Sequence, residues 1–359
     1  MAAKRNGIIG LSAAFATAGV AYALDRRVVA RRQKAVRTSQ YEFTRQPSDR
    51  RGVVVADDGT GLYYEEVGPP DAPLTVVFTH GYTLNLASFY FQRQYLLDRF
   101  GPRIRMVFWD QRSHGRSDLS AAHNCTIDRL GADLATVIAT VAPSGPLVLV
   151  GHSMGGMTVM ALADAHPELV DRRVAGVALI STSAGELASV TLGLPALLSR
   201  VRGPLAPLLL GGVRNRAKLA ARGMAIGTDL AWVVVRRFAF ADADVDPALV
   251  EFLTRMIAAT RIEAIADFYR PLMSHDKLAA LPVLADRPVT IICGDADRLT
   301  PLAHSETIAQ ALPKAELVVV AGAGHLVGLE KPEPVNEALA RLIEPALISP
   351  GRGRRSRRG

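Results

Sequence analysis

Three side chains in this sequence have the types and the setting for nucleophilic catalysis. Ser153 stands in Gly151-His152-Ser153-Met154-Gly155-Gly156, between the apolar run PLVLV and the helix-like stretch MTVMALADAH, which stops before Pro167. Gly-x-Ser-x-Gly between a strand and a helix describes a sharp turn that lifts a serine hydroxyl above a sheet, with tiny neighbours because adjoining elements crowd them. The competing role for the same serine is an ordinary helix N-cap. A hydroxyl is a weak nucleophile and needs a base. His325, in Val-Val-Val-Ala-Gly-Ala-Gly-His-Leu just past the last apolar run, can be carried over a sheet edge by its loop and is the expected base. His80 and His152 belong to backbone motifs, while His114, His123, His166, His275 and His304 lie in polar or helical surroundings. The base in turn needs a carboxylate to fix its tautomer and stabilise the imidazolium. Two aspartates follow the run VTIIC: Asp297 is the expected partner, with Asp295 the alternative.

Attack on a carbonyl also needs donors for the oxyanion. The N–H of Met154, directly after the serine, is one expected donor. The N–H of Tyr82 is the other, in His80-Gly81-Tyr82 after the run TVVFT. His80 is expected to order that loop rather than to move protons.

These groups can meet only if strands and helices bring them to one edge. Between residues 50 and 345 short apolar runs alternate with helix-like stretches, the pattern of an α/β protein. Val53–Val55 and Leu62–Val67 flank Asp58-Gly59-Thr60-Gly61 and predict an antiparallel hairpin. Thr75–Thr79, Arg105–Trp109, Leu147–Val150, Val174–Ile180, Val289–Cys293 and Glu316–Val320 predict buried strands of a parallel sheet covered on both faces. Between Ser181 and Arg287 the strand pattern stops. An insertion of that size exceeds what a crossover requires and predicts a helical cap over the C-terminal edge of the sheet.

With Asp110-Gln111-Arg112-Ser113-His114-Gly115-Arg116-Ser117, His80-Gly81, the turn Gly151–Gly156, Gly294–Asp297 with Pro301, and Gly324-His325, the chain resembles the α/β-hydrolase-fold serine hydrolases of the esterase and lipase type, over about Val53 to Ile343. The chain order Ser153, Asp297, His325 is that family's order. The resemblance implies an α/β-hydrolase fold: a mostly parallel central sheet flanked by helices, with a helical cap insertion. It also favours Asp297 over Asp295, because the second acidic position of a GxxD run carries the family's triad acid. The Asp110 loop usually has Gly where Ser113 stands. Epoxide hydrolases and haloalkane dehalogenases of this fold carry aspartate where this chain has Ser153.

The expected domains are 41–183 with 286–346 as the core, 184–285 as the cap, 1–40 as an N-terminal membrane anchor or signal-like segment with a basic linker, and 347–359 as a disordered basic tail. The expected chemistry is hydrolysis of a lipophilic carboxylic ester through an acyl-enzyme. Leu192–Leu210 is apolar, and Trp232, Phe238, Phe240, Phe252, Met256, Phe268, Tyr269 and Met273 together favour a hydrophobic substrate group. The alternatives are thioesterase, peptidase or amidase, C–C hydrolase or cofactor-free perhydrolase chemistry on the same residues, and a non-catalytic binding protein. No cofactor or metal is expected, since no GxGxxG, Walker, HExxH or His/Cys cluster appears.

Composition narrows the classes. Of 359 residues, 49% are hydrophobic and 21% charged, which excludes a disordered or collagen-like chain. Two cysteines, Cys125 and Cys293, exclude a disulfide scaffold. The net charge of +8 sits at the ends: residues 1–37 carry +7 and the tail from Pro350 carries +5, which leaves −4 for the middle. A basic face for nucleic acid is therefore not expected. Residues 7–24 hold no charge and as a helix would rise about 27 Å, close to a hydrocarbon core of roughly 30 Å. They predict a single-pass anchor, with a cleaved signal peptide (residues 1–23) and a helix packed on the protein surface as competitors. Six basic residues after the span against two before it place the catalytic domain on the cytoplasmic side.

Overall fold

The computed structural model describes residues 41–43, 46–190 and 224–348. The chain runs β1 (Arg50–Val55), β2 (Gly61–Val67), β3 (Leu74–Thr79), α1 (Tyr90–Phe100), β4 (Ile104–Trp109), α2 (Ile127–Val141), β5 (Leu147–His152), α3 (Met154–Ala165), α4 (Pro167–Arg173) and β6 (Val174–Ile180). It continues with α5 (Met224–Ala239), α6 (Pro247–Ala259), α7 (Ile262–Ser274), β7 (Val289–Gly294), α8 (Leu302–Ala311), β8 (Glu316–Val320), α9 (Val327–Glu330) and α10 (Pro332–Ile348). The strands form one eight-stranded sheet in the order β1-β2-β4-β3-β5-β6-β7-β8. Every pairing from β4 onward in that order is parallel, and only β2 runs against its neighbours.

The strands follow from the apolar runs. β3, β4, β5 and β7 are buried at every position. Alternation then divides each strand between two helix layers. Val77, Leu149, Val177 and Ile291 pack with Leu134, Ile138 and Val159 of α2 and α3, while Val76, Val148, Ala178 and Ile292 pack with Leu96, Leu339 and Ile343 of α1 and α10. Each of the Val, Leu and Ile side chains among them contributes roughly 1.5–3 kcal/mol relative to exposure. Thr126 caps α2 by accepting from the Arg129 N–H at 3.1 Å. Gly131 lets α2 close on α3, since a Cβ there would stand 2.7 Å from the Ala161 carbonyl carbon. The β1–β2 hairpin turns on Gly59 at φ 84°, with Asp58 accepting from the Thr60 N–H.

Cys125 and Cys293 are free and buried. Between β6 and β7 the structure describes α5, α6 and α7, whereas residues 191–223, with the run Leu192–Leu210, lie outside the described residues. The tail is outside them from residue 349.

The expected membrane localisation needs correction. No helix among the described residues is long and apolar enough to cross a membrane. The anchor rested on residues 7–24, which lie outside the described residues. That expectation used length, absence of charge and flanking basic residues, but the segment is dominated by Ala and Gly and offers hydrocarbon little apolar surface.

Candidate active site

The end of β5 delivers Ser153 into the turn before α3 with φ 53° and ψ −119°. That conformation costs a non-glycine residue roughly 1–3 kcal/mol and persists only when its surroundings impose it. Here they do. The Ser153 N–H donates to the Ile180 oxygen of β6 at 2.9 Å, and the Thr182 hydroxyl donates to the Ser153 oxygen at 2.7 Å. A Cβ at Gly151 would stand 2.5 Å from the Gly155 oxygen, one at Gly156 2.6 Å from Thr182 Oγ1, and one at Gly155 would collide with the Thr79 oxygen. The small neighbours are thus required by packing. Ser153 makes no capping bond to α3, so the competing N-cap role is not taken.

Its hydroxyl is aimed instead at His325, in the turn between β8 and α9. Ser153 Oγ lies 3.0 Å from His325 Nε2, and His325 Nδ1 lies 2.9 Å from Asp297 Oδ2. All three residues are buried. Asp297 follows β7 and has both oxygens engaged: Oδ1 accepts from the N–H groups of Leu299 and Thr300 at 2.8 and 3.0 Å, and Oδ2 also accepts from the Thr300 hydroxyl at 2.8 Å. Burial pulls the Asp297 carboxyl up, but the His325 charge and the donors around it outweigh burial and hold it below the ordinary carboxylate value. Asp295 points elsewhere. Its Oδ1 accepts from the Gly322 N–H at 2.8 Å and steadies the loop after β8.

The loop after β3 abuts the turn, since a Cβ at Gly81 would stand 2.9 Å from His152 Nδ1 and 3.1 Å from Ser153 Cβ. This brings the peptide of Tyr82 beside Ser153. Met154 opens α3, so its N–H has no intrahelical partner. The Tyr82 hydroxyl donates to the Ile265 oxygen of α7, and burial pushes it up. His80 is ordered as expected: the Gln111 N–H donates to its Nε2 at 3.0 Å, which leaves Nδ1–H to donate to the Gly81 oxygen at 2.8 Å. Burial and the neighbouring His114 lower its titration to about 3. In the Asp110 loop, Ser113 has φ 65°, the left-handed conformation that glycine adopts without penalty. That accounts for the glycine usual at this position.

Sequence reasoning did not single out Thr300, although Asp-x-x-Thr is a spacing at which a carboxylate gathers local donors. It also missed His152 as a support for His325: the His152 ring Nε2 lies 3.1 Å from the His325 oxygen.

Ser153 and His325 open into a cavity of about 430 Å³. Its walls include Met157, Leu187, Leu253, Ile257, Leu272 and Leu299, and no charged Lys, Arg, Asp or Glu side chain among the described residues lines it. Of the apolar residues expected there, Tyr269 and Met273 line it. Trp232 and Phe240 do not line it but pack in an apolar cluster with Leu253 and Ile257, and Phe268 packs against Cys125 and Met154. A larger cavity of about 780 Å³ lies between β1, the loop after β3 and α6; Phe252 and Met256 line it with Arg50, Glu65 and Arg116, and it touches neither Ser153 nor His325.

Comparison with known proteins agrees with this architecture. Residues 75–332 match the model of the alpha/beta hydrolase fold family. The chain is 25% identical over 294 residues to Epoxide hydrolase 1 of Caenorhabditis elegans, covering 79% of this chain and 67% of that protein. It is 27% identical over 296 residues to a non-heme haloperoxidase of Rhodococcus erythropolis, covering 81% and 98%. Among solved structures, a thermophilic esterase from Thermogutta terrifontis superposes with a TM-score of 0.62 at 24% identity, covering 82% of this chain and 98% of that one. With more than half of its length matched to the family model, and with the sheet order described above, this chain belongs to the alpha/beta hydrolase fold family.

Proposed function

We propose that the protein is a serine hydrolase that cleaves a neutral, lipophilic carboxylic ester through an acyl-enzyme. The observation that carries this reading is the continuous contact Ser153 Oγ, His325 Nε2, His325 Nδ1, Asp297 Oδ2 at the wall of an uncharged cavity. Ser153 attacks the ester carbonyl as His325 Nε2 takes its proton, and Asp297 stabilises the resulting imidazolium. The N–H groups of Tyr82 and Met154 receive the oxyanion. The tetrahedral species collapses as His325 returns the proton to the leaving alcohol. Water then attacks the acyl-enzyme by the same route and releases the acid. Epoxide opening fits this site poorly. A serine attacking an epoxide carbon would leave an ether that water cannot hydrolyse, whereas a carboxylate nucleophile leaves an ester.

The test is labelling by a fluorescent fluorophosphonate of the wild type and Ser153→Ala, followed by hydrolysis of p-nitrophenyl esters from acetyl to palmitoyl. Labelling lost in the variant, with an optimum among uncharged chains, supports the reading. An unlabelled, folded wild type overturns it. A second reading, perhydrolysis, takes its support from the likeness to the haloperoxidase. Hydrogen peroxide would then attack the acyl-enzyme in place of water and release a peracid. Peracid formed from an ester and peroxide, and lost in Ser153→Ala, would favour it.

A further inference from the structure

Glu330 closes α9, five positions after His325. Its carboxylate takes three backbone N–H donors: Oε2 accepts from Gly324 at 2.6 Å, and Oε1 accepts from Ala241 at 2.8 Å and Asp242 at 2.6 Å. Gly324 immediately precedes His325, while Ala241 and Asp242 follow α5. On the other side of His325, the Leu326 N–H donates to the Ala239 oxygen at 3.0 Å. The two segments are in close contact, since a Cβ at Gly324 would stand 2.8 Å from the Ala241 nitrogen and 2.9 Å from the Ala239 oxygen. The chain leaving α5 thus grips the main chain on both flanks of His325, and Glu330 supplies three of the four bonds.

We infer that Glu330 is a positioning residue for His325: it holds the imidazole in register with Ser153 by clamping the His325 loop to the chain after α5. The inference rests on the reading of His325 as the base. The chemistry requires a carboxylate. All three partners are donors, so both oxygens must accept, and an amide would turn an NH₂ toward either Gly324 or the Ala241–Asp242 pair. Among the described residues the hydrogen bonds of this carboxylate go to backbone N–H groups and none goes to Ser153, His325 or Asp297, so its effect passes through the geometry of the loop.

The experiment is a double-mutant cycle between Glu330→Gln and His325→Ala, read by fluorophosphonate labelling rate and by kcat and KM on p-nitrophenyl butyrate, with thermal melting as the folding control. Glu330→Gln is expected to lower kcat and the labelling rate roughly tenfold with KM within about twofold. In the His325→Ala background it should cost nothing further, because the group it positions is gone. Equal losses in both backgrounds would assign Glu330 a merely structural role and overturn the inference, as would wild-type kcat in a folded Glu330→Gln. If the Gln variant does not melt cooperatively, Glu330→Asp replaces it in the cycle with the same non-additivity expected. A fully active His325→Ala would instead sink the assignment of the base, which separates the two failures.

Discussion

The imidazole of His152 holds the backbone of His325, with Nε2 3.1 Å from the His325 oxygen. The residue just before Ser153 therefore grips the main chain of the residue that Ser153 faces. A carbonyl oxygen only accepts, so the proton of this neutral ring sits on Nε2. Burial, with the nearby His325 charge, lowers its titration to about 3 and keeps it neutral. His152→Ala should lower kcat roughly tenfold by loosening that grip, with little change in KM. Steady-state kinetics on a short p-nitrophenyl ester measure this, and an unchanged kcat would remove His152 from the positioning set.

Ser153→Ala and Ser153→Gly should separate chemistry from strain. Both should lose at least about 10⁴-fold in kcat. Only the glycine variant relieves the positive φ, so it should be the more stable of the two by about 1 kcal/mol. Chemical denaturation gives the comparison, and a less stable glycine variant would mean that the turn stores no strain.

The two aspartates past β7 should behave very differently. Asp297→Asn keeps the shape but presents the wrong partner to His325 Nδ1, so kcat should fall by about 10³–10⁴. The Asp295 side chain accepts from the Gly322 N–H, away from His325, and Asp295→Asn should cost less than about tenfold. The reverse ranking would move the acid role to Asp295.

Stability should depend on pH through buried histidines. Burial holds His80 and His152 at about 3 and His114 at about 4, against 6.5 for an unperturbed ring. Between roughly pH 4 and 6.5 each ring takes up a proton on unfolding that it cannot hold when folded, so stability is complete above about 6.5 and is lost as pH falls through that window. Asp110 works in the opposite sense. Burial raises its carboxyl to about 6, so it gives up a proton on unfolding and cancels one of the three. Together these four groups take up a net of nearly two protons on unfolding and contribute a slope of about 3 kcal/mol per pH unit around pH 5. Urea midpoints at pH 7, 6 and 5 test this, and His114→Asn should reduce the slope by about one proton. A flat profile would mean that the rings are charged in the folded state.

The sheet was legible because Val- and Ile-rich runs such as Thr75–Thr79 and Val289–Cys293 end in polar or glycine turns, a pattern that period and turn chemistry explain locally. Ser153, Asp297 and His325 stood out because each follows such a run. What supports them was less legible. Glu330 and His152 act by bonding backbone atoms of a distant segment, and a backbone N–H carries no mark in the sequence. Trp232, Phe240 and Phe268 were counted toward the pocket because they are apolar, but apolarity alone does not tell a cavity wall from a packed interior. The same shortcut, reading a charge-free stretch as a membrane span, produced the anchor that no described helix supports.

The route of the chain between β6 and β7 has a consequence during synthesis. β6 ends at Ile180, and its partner β7 does not begin until Val289. At roughly 5–20 residues per second, the ribosome needs about 5–20 s to produce the intervening stretch of about a hundred residues. Throughout that interval the nascent chain holds Ser153 and six strands but neither Asp297 nor His325, and a fully apolar strand edge stands open to other chains. The edge of β6 is therefore most open to wrong pairing before translation ends, and it closes only when β7 has been made.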